Sequence, residues 1–98
     1  MIDQNYVDDY VSEILIAREW IQEQLLNTKM KYHIDAGNYF LLWPKKQVSK
    51  IELFLREQGI LVRNMHGKPL IGESLRVSIG TTVQMKRFWE TFQRAEKN

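Results

Sequence analysis

The stretch "SLRVSIGTT", Ser74 to Thr82, decides how this chain is read. Side chains alternate along a strand, so Leu75, Val77 and Ile79 share one face and Arg76 and Ser78 the other. Gly80 and the Thr81-Thr82 pair stop the strand. Thr81 and Gln84 then have the Thr-x-x-Gln spacing of a capping box, which opens a helix. A guanidinium in the centre of an aliphatic strand is costly to bury without an anion. Its planar fork fits a carboxylate or a phosphate through two parallel hydrogen bonds. Arg63 holds a comparable place at the end of the apolar run Ile60-Leu61-Val62, and a loop joins the two strands. Both strands can therefore deliver an arginine to one edge. The spacing supports an anion site, with an internal Asp or Glu partner as the competing account.

Working outward, Met85, Phe88, Trp89 and Phe92 give the last helix an apolar face. The segment from Arg63 to Glu73 is a loop with Gly67, Pro69 and Gly72, and Ile60-Leu61-Val62 before it reads as a short buried strand. A helix is expected from Lys46 to Gln58, with Val48, Ile51, Leu53, Phe54 and Leu55 as its buried stripe. Gly59 stands where a left-handed C′ residue belongs. This helix can join parallel strands as a crossover. Upstream, Asn38 to Trp43 is a strand ended by Pro44, and Leu41-Leu42-Trp43 predicts cover on both faces. Tyr32 to Ile34 is a strand candidate, followed by the turn signal Asp35-Ala36-Gly37.

The first segment, Asp3 to Asn27, is helical. Val7, Val11, Ile14, Ile21 and Leu25 recur at helical steps with Tyr10, Ala17 and Trp20 beside them, and Asp3 or Asn5 is placed to cap the start. The run Ile14-Leu15-Ile16-Ala17 wraps the helix on all sides, which implies contacts on more than one face. At ~1.5 Å per residue the helix is ~36 Å long, against a radius of gyration of ~13 Å for a globule of this size. Either it overhangs its own domain, where a second domain or a second copy of the chain would cover it, or it lies across the full width of a small sheet. The order helix, strand, strand, helix, strand, strand, helix is α+β. It predicts a three- to four-stranded sheet packed by helices and preceded by a long N-terminal helix.

Bulk properties exclude several classes. The 98 residues suit one small domain, and 44% hydrophobic with 27% charged residues is ordinary globular composition. A formal charge of +2 falls short of the concentrated positive footprint of nucleic-acid binders. No cysteine is present, so no disulfide framework and no thiolate metal site is expected. No apolar run has membrane-spanning length and no leader pattern precedes the first helix, which reads as a cytoplasmic protein without membrane or nucleic-acid partners. Met1 leads straight into a helical pattern, as at a cut from a longer chain. His33 and His66 lack metal-ligand spacing and read as surface or packing residues, so no metal is expected. Asp8-Asp9, Lys45-Lys46 and Lys86-Arg87 read as solvent-facing, and Trp20, Trp43 and Trp89 as packing. No catalytic nucleophile motif appears within the chain.

Asn38-Tyr39 opening a strand, "QGILVRN" after a helix, a Gly/Pro loop, and "LRVSIGT" before a polar-rich helix occur here in order, at matching loop length. The set resembles the carboxy-terminal part of histidinol-phosphate aminotransferase, a fold-type-I, pyridoxal-phosphate-dependent aminotransferase. The resemblance covers nearly the whole chain. It implies the small domain of a larger subunit, with residues 1–28 as a long interdomain helix and 29–98 as the sheet-and-helix body. It implies that Arg76 holds the substrate's anionic group and that Arg63 assists at a phosphate. The family's cofactor lysine sits in a Ser/Thr- and Gly-rich context that none of the lysines here has. Pyridoxal phosphate is therefore expected on an absent large domain of the same subunit, the parent is expected to be a homodimer, and the chain alone is expected to be inactive. The resemblance implies an amino acid or a phosphorylated amino alcohol as substrate. Threonine-phosphate decarboxylases look similar in this region. A stand-alone α+β binding or regulatory module, and a domain that dimerises through its first helix, are the competing readings.

Overall fold

The helix-forming and strand-forming runs segregate into two layers in a computed structural model, which describes residues 2–34 and 37–97, with side chains from residue 11 onward. The elements are α1 (Ile2–Asn27), β1 (Lys31–Ile34), β2 (Tyr39–Trp43), α2 (Val48–Glu57), β3 (Arg63–Asn64), β4 (Leu75–Ser78) and α3 (Thr82–Lys97). The four strands lie in the order β1-β2-β4-β3, every neighbouring pair antiparallel. Because β2 and β3 both oppose β4, they run in the same direction with β4 between them. The expected crossover through α2 therefore exists in split form. The α+β class and the long first helix are as the sequence predicts.

Phe40, Leu42, Leu75 and Val77 face the helix layer, as strand alternation requires, and are buried there with Val48, Ile51 and Leu55 of α2 and Met85, Phe88 and Phe92 of α3. Phe88 meets Phe40 edge-on at 5.9 Å and stacks on Phe92 at 5.7 Å, which ties sheet to helix. Leu53, assigned to the buried stripe of α2, instead lies exposed. α3 opens as the capping box predicts: Thr81 N–H donates to Gln84 Oε1 at 2.9 Å and Gln84 N–H to Thr81 Oγ1 at 3.3 Å.

The expected strand Ile60-Leu61-Val62 does not form. Gly59, at φ 81°, donates its N–H to Arg56 O, and Ile60 donates to Leu55 O, which is the paired closure of a Schellman motif. The Ile60 amide is thus used by the helix. Leu61 and Val62 carry the chain from the helix layer to the sheet, and pairing begins at Arg63.

Among the described side chains of α1, those toward its C-terminal end pack on the body. Ala17, Ile21 and Leu25 are buried, whereas Val11, Leu15 and Ile16 are exposed. The molecule measures 48 × 27 × 24 Å with a radius of gyration of 14.3 Å, longer in one direction than a compact globule. The long dimension and the exposed Val11, Leu15 and Ile16 favour a helix that extends past its own body. The Asp3 and Asn5 caps, Asp8-Asp9 and the Val7 and Tyr10 positions concern side chains outside those described, as do Asp35 and Ala36 of the expected turn. Among the described residues no helix is long and apolar enough to cross a membrane.

Candidate anion-binding site

The face of the sheet away from the helices is built from the alternate residues of each strand. Register fixes its rows. His33 lies opposite Leu41, Leu41 opposite Arg76, and Arg76 opposite Arg63. Above and below this row, Lys31 pairs with Trp43 and Tyr39 with Ser78. The two arginines that the sequence placed near one edge are thus direct cross-strand partners. Leu41 is itself buried on this side, among its neighbours on the sheet.

Like charges directly opposed in a sheet destabilise it by roughly 0.2–1 kcal/mol. Nothing on the strands offsets this, since none of their residues is acidic. Among the described residues Arg63 and Arg76 have no carboxylate within ion-pair reach; the ion pairs are Arg56–Glu52 and His66–Glu73. The competing account, an internal acid beside Arg76, is absent from the described residues. Arg76 rests instead on an aromatic face, with Cζ 4.2 Å from the centroid of the Tyr39 ring. A shallow cavity of about 340 Å³ opens over the pair, bordered by Leu61, Val62, Arg63, Arg76 and Ser78. Two arginines at one cavity, without counter-ions among the described residues, offer donors that suit an anion through charge-assisted hydrogen bonds.

The flank of this face is pinned by polar contacts. The Trp43 indole N–H donates to Gly72 O at 3.1 Å, which folds the β3–β4 loop over the sheet, and Lys31 Nζ lies 4.6 Å from the Trp43 ring. Ser74 Oγ donates to Ile71 O. Arg18 Nη1 of α1 donates to Gly37 O at 2.6 Å and so ties the long helix to the β1–β2 connection. Trp89 is core, as expected. Trp20 and Trp43 are only partly so, each with a lysine ammonium over its ring. Tyr39 is the residue whose part in the site the sequence did not show. Alternation puts it on the same face as Leu41, but its closeness to Arg76 depends on the β2–β4 register.

Known proteins resemble the chain over nearly its whole length. It is 32% identical over 92 residues to a histidinol-phosphate aminotransferase of Acinetobacter baylyi, covering 93% of this chain and 25% of that protein. It is 34% identical over 85 residues to one of Marinomonas sp., covering 85% and 24%. Among solved structures, one from Burkholderia pseudomallei described as an aminotransferase superposes with a TM-score of 0.75 at 19% identity, over 95% of this chain and 29% of that one. One from Erwinia carotovora atroseptica, described as a histidinol-phosphate aminotransferase, gives 0.73 at 19% identity, over 88% and 24%. These two show a shared fold. No family model matches the chain. The chain spans about a quarter of the length of the curated relatives it matches.

Proposed function

We propose that this aminotransferase-related domain is the substrate-anchoring small domain of a pyridoxal-phosphate-dependent aminotransferase, most like histidinol-phosphate aminotransferase. The observation that carries the proposal is the cross-strand pairing of Arg63 with Arg76 on the open face, without an acidic partner among the described residues. Arg76 holds the substrate's anionic group and Arg63 shares the load when that group is a phosphate. A charge-assisted hydrogen bond contributes about 1.5–3 kcal/mol, and two guanidiniums present several donors to one dianion. Such anchoring draws on binding energy remote from the reacting carbon and fixes where the amino group lies.

No lysine stands beside the paired arginines to serve a cofactor there. The chain's described lysines are exposed, apart from half-buried Lys46, and none borders the cavity over the arginines. In this reading the cofactor and its lysine belong to a larger domain of the same subunit, within a parent homodimer. Residues 1–28 lead out of that domain and 29–98 form the anchoring body. The exposed Val11, Leu15 and Ile16 on α1 support cover by such a domain.

In the full-length enzyme, Arg76→Ala is expected to lower kcat/KM at least about tenfold, the loss of one charge-assisted bond. Arg63→Ala is expected to affect a phosphorylated amino alcohol more than an amino acid without phosphate. Steady-state kinetics on both substrate classes decide this, and an Arg76→Ala enzyme within about twofold of the parent rules the assignment out. The 98-residue chain alone is expected to show no transaminase activity.

A further inference from the structure

The open face holds a guanidinium with no acid against it among the described residues, and the structure supplies a substitute. Arg76 Cζ lies 4.2 Å from the centroid of the Tyr39 ring. Tyr39 stands on the neighbouring strand two pairs along, opposite Ser78, and so shares the face of Arg76. An aspartate in the same place would hold the charge by occupying the N–H donors, and any incoming anion would have to displace it. An aromatic face attracts the cation through its quadrupole and uses no donor, because the N–H bonds of a guanidinium lie in its own plane. A guanidinium resting on a ring is thus held, partly desolvated and still fully able to donate.

We propose that Tyr39 is a positioning residue for the anion site: its ring holds the Arg76 guanidinium toward the cavity shared with Arg63, in place of an acidic counter-ion, so that a phosphate-type dianion finds the fork free. This rests on the anion-site reading above. The part played by Tyr39 lies in its ring and not in its hydroxyl. Phenylalanine therefore serves in its place, whereas valine keeps the strand and loses the platform.

The experiment uses the 98-residue chain, its Tyr39→Phe and Tyr39→Val variants, and inorganic phosphate as the probe. Arginine side-chain Nε–Hε resonances are recorded by NMR, with that of Arg76 identified by its disappearance in Arg76→Lys. In the parent and in Tyr39→Phe the Arg76 proton is expected to be displaced by the aromatic ring current, and in Tyr39→Val to return to the position of an exposed arginine. Phosphate is expected to bind Tyr39→Phe as it binds the parent and Tyr39→Val about two- to fivefold more weakly, the span of an exposed cation–π contact. Equal phosphate affinity in Tyr39→Val and Tyr39→Phe overturns the positioning role and leaves the anion site standing. A parent chain whose Arg76 and Arg63 resonances ignore phosphate overturns the anion site and the positioning role together. If Tyr39→Val does not fold, the parent spectrum decides: an undisplaced Arg76 resonance overturns the proposal, and a displaced one supports it together with undiminished binding by Tyr39→Phe.

Discussion

Arg63 and Arg76 face each other across the β3–β4 pair, and their repulsion is a cost to the sheet. Removing one charge while keeping the side-chain length relieves it. Arg63→Met is expected to stabilise the isolated chain by about 0.2–1 kcal/mol, read from the urea midpoint at unchanged slope. The same substitution is expected to reduce the stabilisation that added phosphate gives the parent, since a ligand stabilises only through the state that binds it. An Arg63→Met chain less stable than the parent contradicts the assignment of strain to this pair. At this scale the sequence shows much. Alternation alone turns Arg76 away from Leu75 and Val77, and the loop returns Arg63 near it. Their direct opposition and the ring beneath Arg76 are matters of register, which depends on where pairing starts.

Helix ends are the most legible elements, because their chemistry is local. Gly59 and the Thr81–Gln84 box stand where the backbone uses them. The box also explains Gly80. A Cβ there would come within 2.0 Å of Gln84 Oε1, the atom that accepts from Thr81 N–H. Gly80→Ala therefore displaces the Gln84 side chain and removes the same bond as Gln84→Ala. Each is expected to cost about 1 kcal/mol in thermal or urea unfolding, and the double variant little more than either alone. Fully additive losses would show that the two act separately. Ile60-Leu61-Val62 was less legible. Its composition is that of a strand, but the segment follows directly on α2, whose closure takes the Ile60 amide, and Leu61 is 83% exposed. Local apolar character cannot reveal that a neighbouring helix has already claimed a hydrogen bond.

For the whole molecule, the mismatch between helix length and globule size is legible in the sequence and present in the 48 Å long dimension. Two variants separate the core from the exposed positions of α1. Phe88→Ala, which removes the ring between sheet and helix layer, is expected to cost about 3–5 kcal/mol, a large share of the ~5–15 kcal/mol typical of a domain. Leu15→Glu with Ile16→Glu, on exposed positions of α1, is expected to change the stability of the isolated chain by less than about 0.5 kcal/mol per site. A large loss from the α1 pair would mean that the helix carries load in the fold itself. One consequence of β4 reaches further. Leu75 and Val77 sink into the hydrocarbon layer while Arg76 between them does not. Sliding this central strand by a single position would drive the guanidinium into oil and push two aliphatic chains into water. The arginine proposed to anchor an anion thus also favours one alignment of the sheet. A strand misthreaded by one position therefore loses on both faces at once.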